Sequence, residues 1–411
     1  MGGSTEQAGA ARRPGLVHVA LAATAGVLVA VAALAYAHGH ETDLAVYQLG
    51  GRDVFGRALY SAHVDSAAGR LPFTYPPFAA LLFWPLAHVD TVRAQTMWNL
   101  VQAVSLVGLV AVSIRAARGR RLDGRDWATA LLLAAPAMFL WPVRADFGLG
   151  QVEVPLTLLL MVDLTGTPRW RGRALPRGVL VGVAAAVKLT PLVFVPYLLL
   201  TRQRRAALTA GGTFVGLSAL MGVLTPSNSW SYWSHYVLDT SRIALPDSGG
   251  NESLHGALAR LGLAPSTLVV LLLSTLVLGA GTLVAVEAER RTSPVLGVLV
   301  CAATGLMVSP LSWAHHYVWV IPLLAWLTLA PDRPRGSRAW AAGVALLYLW
   351  PPAWAGSGAP RHGGLVWFVG ADAYFLSAVA FVVSGAVMVA WRARRGAPQP
   401  LPPPVPAPLR A

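Results

Sequence analysis

The sequence predicts an all-α polytopic membrane protein, and three features of the 411 residues support this fold class. Hydrophobic residues make up 55% of the chain and charged residues only 12%, against about 25% charged residues in soluble domains. The mean hydropathy is +0.56. Apolar stretches long enough to cross a bilayer recur from one end to the other, with no long polar block between them. The single cysteine, Cys301, excludes a disulfide framework and any cysteine-based metal site.

The basic residues indicate how the chain is oriented in the membrane. The formal charge of +14 comes from arginines grouped in short connections between apolar stretches. These connections are 115–125, 169–177, 202–205, 290–291, 333–338 and 392–395. Lysine and arginine are enriched in cytoplasmic loops. The net charge therefore reflects topology, and we expect no nucleic-acid partner.

Placing these connections in the cytoplasm gives ten full crossings with both termini inside. The predicted crossings are 16–37, 92–114, 127–142, 150–164, 206–224, 266–286, 294–309, 314–330, 338–354 and 372–391. We interpret the first as a retained helix, because a cleaved signal peptide has an apolar region of only about 7–15 residues. The predicted organisation is a cytoplasmic N-terminus (1–15), a transmembrane domain (16–391) and a proline-rich cytoplasmic tail (392–411). The two long outer loops are 38–75 and 225–265.

Two apolar segments, 76–88 and 178–200, do not fit as full crossings because prolines or a lysine interrupt them. The second also has arginines at both of its ends. We interpret each as re-entrant or as a pair of short helices, which gives about 10–12 membrane elements. Irregular backbone at membrane depth is tolerated only where protein or a water-filled cavity surrounds it, so these breaks predict a pocket.

The first candidate catalytic group is Asp43, directly after the first helix on the outer side, in "ETDLAVYQLGGRDVF" (41–55). If this segment is helical, Tyr47 lies on the same face one turn later. An acid at the apolar–aqueous boundary loses hydration, which raises its pKa and makes it a better base. The alternative is structural: Thr42 or Asp43 would simply cap a surface helix.

Lys188, in "AAAVKLTPLVF", is the only lysine in the chain. A charge at the centre of a spanning helix costs about 2.5–3.5 kcal/mol on insertion scales, so a hydrated cavity at the Thr190–Pro191 break would explain it. A lysine suits a phosphate group as a point-charge donor. The alternatives are snorkelling to the interface and a structural ion pair.

Two consecutive histidines, His315 and His316, follow Trp313 in "SPLSWAHHYVWV" (309–320). Adjacent residues of an α-helix point about 100° apart, which argues against joint chelation of one metal ion. One ring could bind a phosphate while the other packs. A pair of ordinary interfacial histidines is the alternative.

Two outer turns carry further polar residues. The turn "WPVRADFGLGQVEV" (141–154) contains Arg144, Gln151 and Glu153, and "GGNESLHGALARL" (249–261) contains Asn251 and Glu252. These groups could bind sugar hydroxyls, although ordinary loop polarity explains each of them alone. All the polar groups fall on the outer side, at breaks in membrane helices. This common placement predicts a lipid-linked substrate with an anionic head group, handled outside the cytoplasm.

Six motifs, in this order, resemble glycosyltransferase family 87, whose members have the GT-C fold and use polyprenyl-phosphate sugars. The motifs are "DLAVYQLGG", "LPFTYPPFAALLFWPLA", "GQVEVPLTLLL", "AAAVKLTPLVF", "NESLHGALARL" and "SPLSWAHHYVW". The resemblance covers about residues 40–330, and "FTYPPF" and "SPLSWAHH" are its most specific elements. This chain departs from the family pattern at Glu252, where glutamine is common, and at Ala314, where aspartate is common.

The resemblance implies an α-1,2-mannosyltransferase of the phosphatidylinositol-mannoside type. Its partners would be a polyprenyl-phosphate sugar, a glycolipid or lipoglycan acceptor, and membrane lipids. Asp43 would be the general base, and Lys188, His315 and His316 would bind the donor phosphate. The implied substrate-binding residues are Tyr47, Tyr75, Arg144, Gln151, Asn251, Glu252 and Trp313. No cofactor or metal is required, because the donor carries one phosphate and the first outer loop lacks an Asp-x-Asp motif.

Three alternatives remain open from the sequence. An arabinofuranosyltransferase of the same fold would share the motifs. A lipid or sugar transporter would place polar groups in several helices and often contains an internal repeat, which this sequence lacks. A non-catalytic scaffold would fit the two departures at Glu252 and Ala314, but it does not explain Asp43.

Overall fold

The structure is a bundle of α-helices with two short hairpins. The computed structural model describes residues 15–36, 42–66, 69–166, 169–170, 173–243, 250–263, 266–352 and 364–395. The predicted segments before residue 15 and after residue 395, and residues 37–41 and 244–249 of the outer loops, lie outside this description. The all-α fold class is confirmed for the residues described.

The helices follow one another with short connections. They are α1 (Leu16–Tyr36), α2 (Thr42–Asp53), α3 (Pro77–Phe83), α4 (Thr91–Arg118), α5 (Gly124–Ala137), α6 (Trp141–Leu149), α7 (Glu153–Thr165), α8 (Val179–Val187), α9 (Phe194–Leu200), α10 (Arg204–Leu224), α11 (Pro226–Ser231), α12 (Leu254–Arg260), α13 (Thr267–Arg291), α14 (Pro294–Val308), α15 (Val320–Leu329), α16 (Ser337–Leu347), α17 (Gly364–Ala371) and α18 (Ala373–Arg394). Short 3₁₀ turns cover Trp84–His88, Thr190–Val193, Thr240–Arg242 and Ala314–Trp319, and a π turn covers Tyr232–Tyr236. The antiparallel hairpins pair β1 (His63–Ser66) with β2 (Gly69–Pro72) and β3 (Arg169–Trp170) with β4 (Arg173–Ala174).

Hydrogen bonds join the arginine-rich helix ends to one another on one side of the bundle. Arg115 of α4 donates to Thr165 Oγ1 of α7 at 3.1 Å. Arg392 of α18 donates to the carbonyl of Arg291 at 3.1 Å and to that of Asp332 at 3.0 Å. Of the ends that the sequence assigns to the cytoplasm, those of α4 and α7 therefore lie together, and so do those of α13, α15 and α18.

The opposite ends of the helices form the second side of the bundle. Trp141, which begins α6, donates its backbone N–H to the carbonyl of Tyr348 at 2.6 Å, just after α16. Arg260 of α12 forms a buried ion pair with Asp372 at the start of α18, with Nε 2.8 Å from Oδ2. The helix ends joined by these two contacts are ends that the arginine pattern assigns to the outer side.

Four of the described helices, α4, α10, α13 and α18, are long and apolar enough to cross a membrane, and α5 with α6 would make a fifth. The α5–α6 pair bends by 79°, because Pro136 weakens the end of α5 and Pro142 starts α6. The predicted crossing 127–142 is corrected accordingly, since α5 ends at Ala137. The crossing predicted for 314–330 divides into a 3₁₀ turn and α15, and that predicted for 338–354 ends as helix at Leu347. The total of ten crossings stays a prediction.

Both broken segments take the form that their prolines indicate. Segment 178–200 consists of α8, a 3₁₀ turn and α9, and its two ends lie near the arginine-rich side of the bundle. Segment 76–88 consists of α3 and a 3₁₀ turn packed on α2, where Gln48 Nε2 donates to the carbonyl of Leu86 at 3.0 Å. Neither segment is a straight spanning helix.

The ends of α8 are both attached to α7 by acidic side chains. At the first end, Asp163 accepts hydrogen bonds from the backbone N–H of Gly178 at 2.8 Å and of Val181 at 3.0 Å. At the second end, Lys188 forms an ion pair with Glu153. The two helices are antiparallel, and the paired residues are ten positions apart in each. Ten residues of helix rise about 15 Å, so both attachments form together without strain.

Gly178 is required at the entry to α8 for two physical reasons. Its φ is +99°, in the left-handed region that disfavours residues with a side chain. A Cβ there would also lie 2.0 Å from the carbonyl oxygen of Ala206 on α10. The close contact between α8 and α10 therefore depends on the missing side chain.

We expect the Asp163→Ala variant to unfold at a lower temperature than the wild type, because two backbone N–H groups at the start of α8 lose their acceptor. The loss of a helix cap typically costs about 0.5–2 kcal/mol. Thermal unfolding of the purified protein in detergent measures the shift. Asp65→Ala is the matched control, since the Asp65 side chain is 84% exposed. Equal unfolding midpoints for the two variants would contradict the attachment of α8 through Asp163.

Candidate active site

Gln151 joins an acid and two tyrosines at the turn between α6 and α7. Its side-chain Nε2 donates to Asp43 Oδ2 at 2.7 Å. Its Oε1 accepts from the hydroxyl of Tyr47 at 2.7 Å and of Tyr75 at 3.2 Å, and the two hydroxyls lie 2.9 Å apart. Asp43, Tyr47, Tyr75 and Gln151, all predicted from the sequence, therefore form one hydrogen-bonded cluster, which we call the Asp43 cluster.

The backbone of Gln151 is held by residues that the sequence analysis did not select. Its carbonyl accepts from Trp98 Nε1 at 3.1 Å and from Gln102 Nε2 at 2.8 Å, both on α4. The buried carboxylate of Asp146 accepts from Gln102 at 2.9 Å and from the backbone N–H of Glu153 at 3.0 Å. The sequence did contain a signal for these supporting residues. Asn99 and Gln102 are polar side chains on an apolar helix, and buried polar side chains need partners.

A second cluster forms around Lys188, and we call it the Lys188 cluster. The ammonium contacts Glu153 in an ion pair, and its Nζ lies 3.0 Å from His316 Nε2. His316 Nε2 is 3.6 Å from Glu153 Oε1. Side-chain exposure is 16% for Lys188, 11% for Glu153 and 8% for His316. Lys188 is thus paired with an acidic side chain inside the protein, which agrees with the alternative of a structural ion pair. Its side chain keeps a small exposed fraction.

His316 lies between two donors. The backbone N–H of Trp313 lies 3.3 Å from Nδ1, and the Lys188 ammonium, which can only donate, lies 3.0 Å from Nε2. The contact with the charged donor is the shorter and stronger of the two, so Nε2 accepts from Lys188. The ammonium is therefore held by two acceptors, the Glu153 carboxylate and His316 Nε2.

His315 also lies in the Lys188 cluster, which differs from the expectation for adjacent residues on an α-helix. The two rings are 4.6 Å apart at 85° to each other, because this segment is a 3₁₀ turn with non-helical backbone at Tyr317. His315 is 5% exposed, and its Nε2 has no hydrogen-bond partner among the described residues.

Glu153, His315 and His316 offer ligand atoms within 4.8 Å of one another, a spacing that suits a metal ion. The expectation that the two adjacent histidines point too far apart to bind one metal ion is wrong, because the 3₁₀ turn brings both rings beside Glu153. Lys188 nevertheless contacts two of these three residues. A second cation would face the ammonium at short range, where like charges repel strongly.

Tyr75 lies between the two clusters. Its hydroxyl belongs to the Asp43 cluster, and Lys188 Nζ lies 5.7 Å from the centre of its ring. Pro76 and Pro77 follow, with Pro77 at the first position of α3. Through Tyr75, the "FTYPPF" motif therefore contacts both the Asp43 cluster and the lysine that is paired with Glu153.

The environment of Asp43 suits an acid–base role. The residue begins α2, outside the spanning helices, and its side chain is half-buried. Burial raises the pKa of the Asp43 carboxyl above its ordinary value, and the hydrogen bond from Gln151 and the charge of Lys188 oppose this only in part.

An apolar cavity opens beside the Lys188 cluster. Glu153 and His316 form its polar end. Its other walls include Leu160, Thr190, Pro191, Phe194, Leu306 and Trp319. The break in segment 178–200 therefore contributes one wall of this cavity and also positions Lys188.

Comparisons with known proteins identify the family of this chain. The family model described as glycosyltransferase family 87 matches residues 73–310. The chain belongs to glycosyltransferase family 87. It is 36% identical over 337 residues to a polyprenol-phosphate-mannose-dependent alpha-(1-2)-phosphatidylinositol mannoside mannosyltransferase of Mycobacterium tuberculosis, covering 76% of each chain.

A second relative comes from Mycolicibacterium smegmatis. It is a polyprenol-phosphate-mannose-dependent alpha-(1-2)-phosphatidylinositol pentamannoside mannosyltransferase, 31% identical over 363 residues, with 85% of this chain and 84% of the relative covered. No solved structure matches the chain. The matched family region contains Tyr75, Gln151 and Lys188, whereas Asp43 and His316 lie on either side of it. The fold places Asp43 next to Gln151 and His316 next to Lys188, both of which lie in the matched region.

Asn251 and Glu252, which lie in the second long outer loop predicted from the sequence, are fully buried. They hold the segment that precedes His315 and His316. Asn251 Nδ2 donates to the carbonyl of Pro310 at 2.9 Å, and its Oδ1 accepts from Ser312 N at 3.0 Å. Glu252 N donates to the carbonyl of Ser312 at 2.7 Å, and its Oε2 accepts from Phe375 N of α18 at 3.2 Å. These contacts support the loop, and direct contact of this pair with substrate stays a prediction.

Arg144 and Trp313 occupy different surroundings. Arg144 is exposed on α6, with its guanidinium 5.7 Å from the ring centre of Trp141, and it makes no contact with the Asp43 or Lys188 cluster among the hydrogen bonds and ion pairs of the described residues. Trp313 touches the Lys188 cluster through its backbone N–H. The structure therefore joins Trp313 to the site and leaves Arg144 at its outer surface.

We expect Asn251→Ala to lower the thermal unfolding midpoint, because Ser312 N loses its buried acceptor. An unsatisfied buried donor typically costs about 1–3 kcal/mol. Arg144→Ala is the control from the same predicted substrate-binding set and should leave the midpoint unchanged. An unaltered midpoint in Asn251→Ala, measured in the same detergent, would contradict the supporting role of this residue.

Proposed function

We propose that the protein transfers mannose from a polyprenyl-phosphate donor to a phosphatidylinositol mannoside or related lipoglycan on the outer face of the membrane. The names of the family 87 relatives support the donor and the acceptor. The observation that carries the proposal for this chain is that the Asp43 cluster and the Lys188 cluster meet at Tyr75. One cluster contains a carboxylate, and the other contains a lysine and a histidine.

The donor side of the proposed site is the Lys188 cluster with its apolar cavity. The Lys188 ammonium supplies a positively charged donor, which suits a phosphate oxygen, and His316 Nε2 helps to hold it in place. The cavity walls, with Phe194, Leu306 and Trp319, offer the apolar surface that a polyprenyl chain needs. The donor phosphate would therefore lie at the polar end of the cavity, with the lipid along its walls.

The acceptor side is the Asp43 cluster. Asp43 takes the proton from an acceptor hydroxyl while that oxygen attacks the anomeric carbon of the sugar. The bond from this carbon to the phosphate oxygen breaks, and polyprenyl phosphate leaves with the bonding electrons. Phosphate is already a weak base, so no general acid is needed, and Lys188 stabilises the charge that develops on it.

One such displacement inverts the anomeric configuration, so a β-linked donor yields an α-linked product. Two carboxylates close to one sugar would be needed for a covalent intermediate and retention. Glu153, the second carboxylate here, lies beside Lys188 and His316 at the proposed phosphate position, whereas Asp43 is bonded to Gln151. The arrangement therefore favours the single inverting step.

The arginine-rich helix ends support an active site on the outer side. Lysine and arginine favour the cytoplasmic face. Glu153 begins α7, whose other end contacts Arg115 through Thr165, and Gln151, just before α7, bonds to Asp43. Lipid-linked donor and acceptor would then meet at the outer membrane surface.

We expect Asp43→Asn to reduce mannose transfer by at least about 10²-fold, the lower range for loss of a general base. Asparagine keeps an oxygen that accepts from Gln151, so the fold should survive. The assay supplies radiolabelled polyprenyl-phosphate mannose and a phosphatidylinositol-mannoside acceptor to membranes with the wild type or the variant. Asp65→Ala, at a side chain that is 84% exposed, serves as an expression-matched control. Full activity in Asp43→Asn would exclude it as the base. A wild type that transfers arabinofuranose from its own polyprenyl-phosphate donor but transfers no mannose would favour the related enzyme class.

We also expect the acidic limb of the kcat/KM profile to report the ionisation of Asp43. The base must be deprotonated to act, and burial raises its pKa. Activity should therefore be full above this raised pKa and fall as the pH drops through it, at a pH above the ordinary value of about 3.9 for aspartate. Initial rates between acidic and neutral pH measure the limb. A rate that stays constant down to that ordinary value would contradict the assignment.

A further inference from the structure

Glu153 has no part in the transfer step, yet its carboxylate occupies the centre of the Lys188 cluster. The Lys188 ammonium donates to Glu153 Oε1, and His316 Nε2 lies 3.6 Å from the same oxygen. Each side chain is more than four-fifths buried, and Glu153 and His316 both line the apolar cavity. In the structure, the Glu153 oxygen therefore takes the position relative to the ammonium that a phosphate oxygen would need.

The charge of the two phosphates explains why such a carboxylate is useful. The donor is a phosphodiester with one negative charge, whereas the product is a phosphomonoester with about 1.5 to 2 negative charges near neutral pH. An unopposed ammonium in a low-dielectric site would attract the product more strongly than the donor. Such a site would bind its substrate well and then retain its product.

We propose that Glu153 competes with the leaving polyprenyl phosphate for Lys188 and so promotes product release. This inference rests on the proposed function, since it takes Lys188 as the phosphate-binding cation. Glu153 is a positioning residue in this scheme: it holds the ammonium at the polar end of the cavity when no phosphate is bound. When a phosphate arrives, its oxygen replaces the carboxylate oxygen, and the carboxylate recovers the ammonium as the product departs.

Because α7 and α8 are attached to each other at two places, the exchange of carboxylate for phosphate requires little movement. Glu153 begins α7, its backbone N–H is held by Asp146, and Lys188 ends α8. Asp163 anchors the other end of α8 to α7 independently. The helix pair therefore keeps its register while the Glu153 and Lys188 side chains separate, and only rotamer changes are needed.

The decisive experiment measures binding of farnesyl phosphate, a short product analogue, to the purified full chain in lipid nanodiscs. Farnesol, which has the same apolar chain without phosphate, is the control ligand. Glu153→Gln keeps the shape and an acceptor oxygen but removes the competing charge. Glu153→Asp keeps the charge with a shorter reach, and Lys188→Ala removes the cation itself.

Glu153→Gln should bind farnesyl phosphate at least about tenfold more tightly than the wild type, because one opposing charge close to the ammonium is lost. Glu153→Asp should be intermediate, and Lys188→Ala should bind more weakly than the wild type. Farnesol affinity should not change in any variant. In steady-state transfer, kcat and the donor KM should both fall in Glu153→Gln, because product release becomes limiting.

Equal or weaker farnesyl phosphate binding in the folded glutamine variant would overturn the inference. If that variant does not fold, the aspartate variant decides, since tighter binding than in the wild type supports the inference and equal or weaker binding overturns it. The proposed function fails separately, if the wild type prefers farnesyl phosphate to farnesol but transfers no mannose. A wild type that transfers mannose, with unchanged affinities in the Glu153 variants, would reject the inference alone.

Discussion

The ion pair between Lys188 and Glu153 is the interaction on which the rest of the site depends. Removing one partner of a buried pair leaves an uncompensated charge and typically costs about 3–5 kcal/mol. In a chain with 12% charged residues and one lysine, that constraint decides where segment 178–200 can turn. The turn has to meet the start of α7, and the equal spacing of the two attachments on α7 and α8 allows it. The cavity beside the pair follows from the same turn.

The separation of Asp43 from Lys188 is as important as the presence of either. A carboxylate paired with an ammonium is stabilised in its charged form and is a weaker base. Here Glu153 neutralises Lys188, and Tyr75 lies between the ammonium and the Asp43 cluster. In the proposed mechanism this lets one site hold a reactive base and a phosphate-binding cation without mutual quenching. Gln151 fixes the base by a single hydrogen bond and leaves the carboxylate partly accessible.

Residues far along the chain complete the site by supporting its loops. Asn251 and Glu252 lock the segment before the two histidines, and Glu252 also accepts from α18. The buried pair of Arg260 and Asp372 fastens the same loop region to the start of α18. Arg260 additionally donates to the carbonyl of Asn251 at 2.6 Å. The position of His316 thus depends on the C-terminal helix, although that helix lies beyond the matched family region.

The sequence by itself determined the membrane class and the two broken segments, and it singled out the residues of the candidate site. Apolar runs and arginine clusters act locally, through transfer free energy and positive-inside bias, so they can be interpreted without a fold. The same holds for Asp43 and Lys188, because a charged residue in or directly beside an apolar run is unusual. Only the tertiary structure decided the partners: Glu153 and His316 for Lys188, and Gln151 for Asp43. These contacts join residues up to 128 positions apart, and no local pattern encodes which distant donor meets which acceptor.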